Sequence, residues 1–89
     1  MEELNENDLE KIKQGNVVVD FFAEWCGPCK QMAPIFEELS NEIDDVVFVK
    51  ANTEKVNSFA AENSVMSIPT IVMFKEGKEV GRSIGFVNK

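Results

Sequence analysis

The run VVVDFFA at residues 17–23 passes straight into EWCGPCK at 24–30 and then into a helical repeat. No other segment restricts the fold as tightly. Val17 to Ala23 is almost continuously apolar and rich in β-branched and aromatic side chains, the pattern of a strand covered on both faces. Asp20 stands in the middle of that run, where an unpaired carboxylate is costly. Downstream, Met32, Ile35, Phe36, Leu39 and Ile43 recur at helical spacing, which predicts a helix from about Cys26 to Ile43. Pro28 falls in its first turn, where a missing N–H costs nothing. Pro34 lies deeper and should kink or loosen it. Cys26 and Cys29, the two cysteines of the chain, therefore sit at a strand-to-helix junction.

The remaining elements follow from the same reading. Asn7 and Glu10 have capping-box spacing and Leu9 and Ile12 share a face, predicting a short helix at about 8–14 that Gly15 stops. Val46 to Ala51 reads as a second buried strand, and Val56, Phe59 and Ala60 as one face of a helix at about 55–63. Ser67-Ile68-Pro69 breaks the chain before a third strand at 70–75. Glu76-Gly77 then turns it into a fourth at about 78–84, paired as an antiparallel hairpin. The order α-β-α-β-α-β-β implies an α/β fold with parallel crossovers and an antiparallel edge. Residues 1–89 make one domain: at 10.0 kDa, folding should leave roughly 5,200 Å² accessible of about 14,500 Å², enough for a single core.

Composition then removes whole classes of function. The chain has no histidine, which excludes histidine general bases, Ser-His and Cys-His nucleophile pairs and most metal sites. Its formal charge of −7 repels phosphate backbones, so no nucleic-acid partner is expected. No apolar stretch approaches the roughly 20 residues that span a bilayer, so no membrane partner is expected either. The first ten residues carry five acids and no apolar core, unlike an export signal. A reducing cytoplasm is the expected compartment, and there a CxxC pair cycles more readily than it stays closed.

Two cysteines fall short of the four ligands of a tetrahedral zinc site unless two chains share the metal. As a structural staple, closing a loop of about four residues contributes only about 2 kcal/mol. Redox chemistry has the stronger physical case. A helix N-terminus favours an anion, here the Cys26 thiolate, while Cys29 lies one turn inside and is shielded. That arrangement predicts an exposed attacking thiol and a buried resolving one. Asp20, as a lone carboxylate in a β-core, should have a raised pKa; the bland alternative is a carboxylate that satisfies buried backbone donors. Lys50 has the alternative of a snorkelling surface lysine, Trp25 that of a packed core aromatic, and Pro69 that of a plain turn.

VDFFAEWCGPCK at 19–30, SIPT at 67–70 and the glycine at 85 resemble the thioredoxin family. The resemblance runs over about residues 8–87 without a gap in the middle. It implies a three-layer α/β/α fold with a central mixed sheet of about four strands. The implied activity is that of a protein dithiol–disulfide oxidoreductase that reduces substrate disulfides through a mixed disulfide. Carried over residue by residue, Cys26 is the nucleophile and Cys29 the resolving thiol. Asp20 relays a proton to or from Cys29, and Lys50 sits near that carboxylate. Ile68-Pro69 matches the family's cis-proline loop, beside which an incoming peptide pairs like an added strand. Trp25, Gly27, Pro28, Ile68, Pro69 and Gly85 would form the apolar surface that docks substrates. No cofactor is implied beyond the Cys26–Cys29 disulfide itself. The implied partners are disulfide-containing proteins and a thioredoxin reductase.

Gly-Pro between the cysteines is the family's reducing version. Thioredoxin itself is established near −270 mV and the periplasmic oxidant near −120 mV, a gap of about 7 kcal/mol. Isomerase or oxidase activity is the alternative within enzymes, and a non-catalytic adaptor is the alternative outside them. A few positions depart from the family. Seven residues before the first helix are too few for the usual first strand and turn, and the last helix is missing after Gly85-Phe86-Val87-Asn88-Lys89, with Asn88 as its N-cap. A naturally minimal chain, a shortened one, or one completed by a partner would all read this way. Apolar side chains of the 17–23 and 70–75 strands should be exposed as a result, and the chain less stable or self-associating. Phe22 stands where many relatives have a second tryptophan, and Asn52 where many have an aspartate.

Overall fold

Two-residue pairing at the N-terminus is the first departure from expectation. The computed structural model describes residues 2–7 and 9–85. In it Glu2–Glu3 forms β1, pairing in parallel with Val49 and Lys50 of β3 (Val47–Asn52). The Leu4 N–H extends the pairing by donating to the Lys50 carbonyl at 2.8 Å. A strand of two glutamates has no apolar periodicity to read, which is why the sequence hides it. Leu4, 1% exposed in the core, anchors it instead.

The sheet therefore has five strands rather than four, in the order β1-β3-β2-β4-β5. β2 (Asn16–Phe22) runs parallel to β3 and antiparallel to β4 (Thr70–Lys75). β4 and β5 (Lys78–Ile84) form the expected antiparallel hairpin, turned at Glu76 and Gly77, both with positive φ. Alternation along β2 sorts the side chains into layers. Val17, Val19 and Phe21 face the main core with Val49, Ala51, Val72 and Phe74. Phe59 of α2 (Asn57–Glu62) packs there against Phe21, with ring centroids 5.5 Å apart. Val18, Asp20 and Phe22 face the other way, toward α1 (Gly27–Glu42), whose Phe36 meets Phe48 of β3 edge-on at 5.2 Å. Helices on both faces of a mixed sheet make the three layers.

The first helix is shorter than its spacing suggests: Leu9–Lys13 is a five-residue 3₁₀ helix. So few residues cannot sustain α-helix cooperativity, so its geometry is set by docking Ile12 and the half-buried Leu9 onto the core. Gly15, at φ +69°, ends it as expected. Pro34 lies inside α1 without ending it. On the α1 side, Met73 is 44% exposed while Val18 and Ile71 are half-buried, so the expected apolar exposure falls chiefly on Met73. Asn88, the expected N-cap of a further helix, lies outside the described residues.

Candidate redox site

Four residues connect β2 to α1, and they place a sulfur at the helix N-terminus. The Cys26 N–H donates to the Ala23 carbonyl at 3.2 Å, closing the turn. Cys26 is then the N-cap of α1, with extended backbone at φ −87° and ψ 111°. Its Sγ accepts the Cys29 N–H at 3.2 Å, the role a Ser or Asp oxygen has in an ordinary cap. Pro28 occupies the first turn, with no N–H to satisfy. The Cys29 N–H and the helix macrodipole thus converge on the Cys26 sulfur, which favours its thiolate. The two cysteines are joined in a disulfide, with Cα atoms 5.2 Å apart.

Exposure does not separate the pair as expected. Cys26 is 5% exposed and Cys29 4%, because the Cys26 sulfur turns inward to its disulfide partner and packs in a small cluster with Ala23, Phe22 and Ile68. The asymmetry lies in what each residue borders. Cys29, not Cys26, lines a cavity of about 280 Å³ bounded also by Glu3, Asp20, Phe22, Ala23, Glu24, Lys30, Ala33 and Lys50.

Asp20 is the buried charge of that cavity. It is 4% exposed, and its Oδ1 makes no hydrogen bond among the described residues, so this oxygen does not satisfy a backbone donor. Burial pushes its pKa up to about 7, against a smaller downward pull from the Lys50 ammonium. Lys50 is directly opposite Asp20 in the β2–β3 register, and its Nζ lies 5.5 Å from the centroid of the Phe22 ring. It is half-buried against the cavity and is no free surface lysine.

On the outer side, the Ile68–Pro69 bond is cis. The Thr70 hydroxyl donates to the Ser67 carbonyl at 2.7 Å, and the Gly85 N–H to the Pro69 carbonyl at 2.8 Å. Gly85 adopts φ +90°, a conformation that glycine takes readily and other residues rarely. These contacts bring Ile68, Pro69 and Gly85 together, as the sequence reading expects. Trp25 is 69% exposed, so it is no core aromatic. It borders a second recess with Thr53, Val65, Met66, Ser67 and Ile68.

Two residues that hold the site, Glu54 and Glu3, escaped the sequence reading, and a third, Asn52, entered it only as a position where many relatives have an aspartate. The Trp25 indole N–H donates to Glu54 at 3.2 Å, and the Glu54 N–H donates to the Asn52 side chain at 2.9 Å. Asn52 is 2% exposed and organises the turn after β3. An Asn at a strand end is a turn-forming signal that could have found it. Glu3, in the cavity wall, gives no such signal. Among the described residues, no group of three His, Cys, Asp or Glu side chains could hold a metal ion. No helix among them is long and apolar enough to cross a membrane.

The thioredoxin family model matches residues 2–89. The chain is 46% identical over 84 residues to a thioredoxin of Chlamydia trachomatis, covering 94% of this chain and 82% of that one. A thioredoxin of Mycoplasmoides gallisepticum is 42% identical over 87 residues, covering 96% and 87%. Among solved structures, oxidised mitochondrial thioredoxin 3 of Saccharomyces cerevisiae superposes with a TM-score of 0.90 at 38% identity, covering 98% of this chain and 85% of that one. With its cysteine pair at the N-terminus of α1, the chain belongs to the thioredoxin family and is a thiol-disulfide oxidoreductase.

Proposed function

We propose that the chain works as a protein-disulfide reductase, with Cys26 attacking and Cys29 resolving. The observation that carries this is the cap: Cys26 Sγ accepts the first-turn N–H of Cys29, so its thiolate is stabilised where a substrate would meet it. In the reduced protein the Cys26 thiolate attacks one sulfur of a substrate disulfide. That S–S bond breaks, a Cys26–substrate disulfide forms, and the other substrate sulfur leaves as a thiolate and takes up a proton. Cys29 gives its proton to the Asp20 carboxylate across the cavity, and its thiolate attacks Cys26 Sγ. The substrate leaves with a second thiol, reduced by two electrons, and the protein holds the Cys26–Cys29 disulfide.

A carboxylate titrating near 7 can both accept and return that proton at neutral pH. Lys50 biases the same carboxylate toward its charged form. Trp25, Gly27, Pro28, Ile68 and Gly85 would receive the substrate; Pro69 is fully buried and would act only through the backbone before it, which offers pairing to an extended segment. The partners are disulfide-containing proteins and a thioredoxin reductase that returns the electrons, and the working compartment is the cytoplasm.

The test is a redox titration of the Cys26–Cys29 pair against dithiol buffers. The expected value is about −270 mV, the established potential of thioredoxin itself, carried over from the family to this chain. A potential above about −200 mV would make the chain an oxidase or isomerase and overturn the reading.

A further inference from the structure

Three ionisable residues occupy one row of the sheet. Glu3 of β1 is opposite Lys50 of β3, and Lys50 is opposite Asp20 of β2. Strands in this sheet follow the order β1-β3-β2, so the row reads acid, base, acid across three neighbours. Residues in register share a face, and all three side chains line the cavity that Cys29 also borders. With strands about 4.8 Å apart, Glu3 and Asp20 are about 10 Å apart at their backbones, with the Lys50 backbone midway. A lysine side chain spans enough to lean either way.

We propose that Glu3 is a positioning residue of the redox site: by competing for the Lys50 ammonium, it sets how strongly Lys50 acts on the Asp20 carboxylate. Glu3 is suited to this because its side chain is only 34% exposed, so its charge is incompletely screened. On its outer side it has Lys55, whose Nζ is 3.9 Å from Glu3 Oε2. The other charged residues around the cavity are Glu24 on the β2–α1 turn and Lys30 on α1. Opposite Asp20 on β4 stands Ile71, which brings no charge. In the structure the Lys50 Nζ lies over the Phe22 ring of β2, and the pull of Glu3 on it toward β1 weakens its hold on Asp20 and so keeps that carboxyl protonated. The inference rests on the proton-transfer role proposed for Asp20.

The experiment is an NMR titration of the Asp20 side-chain carboxyl carbon in the whole oxidised chain. It compares the parent with Glu3→Gln, Glu3→Asp, Lys50→Met and the Glu3→Gln/Lys50→Met pair. Glu3→Gln should lower the Asp20 midpoint by about half a pH unit, because a neutral amide no longer attracts Lys50 away from Asp20. Glu3→Asp should stay near the parent, and the shift should largely vanish in the Lys50→Met background. An unmoved midpoint in Glu3→Gln would overturn the proposal. So would an equal drop in Glu3→Asp, which would mark a disturbed β1, or a full-size drop without Lys50. Turnover measured on the same variants separates the two readings. If the Asp20 midpoint moves while the pH inflection of disulfide reduction stays put, Glu3 keeps its assignment and Asp20 loses its catalytic one.

Discussion

The two sides of the Cys26–Cys29 pair are made of opposite chemistry. Outside lie an exposed Trp25, a half-buried Ile68 and Met66, the last 93% exposed, while Pro69 is fully buried. Inside lie a buried carboxylate, a half-buried lysine and a cavity that reaches Cys29. An apolar rim makes broad contact with a protein surface and asks little of its sequence. A buried carboxylate does the reverse: it touches nothing that arrives, but its proton affinity is set by burial. In the proposed mechanism the disulfide is the boundary at which recognition ends and proton handling begins. Separating them lets substrates vary without disturbing the chemistry.

The largest effect should come from the boundary itself. Replacing Cys29 with Ser should cut turnover on the order of 10⁴-fold and accumulate a Cys26–substrate disulfide, visible as a mass increase after a single turnover. Free release of reduced substrate from that variant would dissolve the distinction between attacking and resolving thiols.

Next is the inner side, through stability. Asp20 titrates near 7 when folded and near 3.8 when exposed, so the unfolded chain loses its proton first as pH rises. Below about pH 3.8 both states are protonated and no difference exists. Between 3.8 and 7 the folded state binds more protons, so stability falls with rising pH. Above 7 the full penalty of about 4 kcal/mol is present. Asp20→Asn should therefore be more stable than the parent by about that amount at pH 9 and nearly equal at pH 3.5, by denaturant midpoints at each pH. A constant difference across that range would show that ionisation is not the cause.

The smallest effect belongs to the outer side. Trp25→Ala should raise the substrate concentration for half-maximal rate about tenfold, or about 1.4 kcal/mol. The pH inflection near 7 should not move. If it moves, the two sides are coupled through the disulfide and the comparison fails.

Strong periodicity was legible and sparse polar strands were not. β4 and β5 fall at 70–75 and 78–84 as the Ser67-Ile68-Pro69 break and the Glu76-Gly77 turn predict, and α1 begins and ends within a residue of its apolar repeat. β1 was invisible because its stability comes from a backbone partner on β3 and from Leu4, with no pattern of its own. The site divides the same way. WCGPC and its Asp20 could be read from the sequence because their chemistry depends on local spacing. The Trp25–Glu54 contact and Glu3 could not, since their partners are brought close only by strand pairing, whereas the Asn52–Glu54 contact is local, two residues apart.

By itself, then, the sequence determined that a cysteine pair caps a helix behind a buried strand, because N-capping needs only neighbours along the chain. It also placed a carboxylate inside that strand. Only the tertiary structure decided that Cys29, and not Cys26, borders the cavity of that carboxylate. It decided too how far burial outweighs the Lys50 charge, and that a glutamate at position 3 completes the row. Register between strands and the depth of a cavity are properties of the assembled sheet, and electrostatics inside a protein follow those distances.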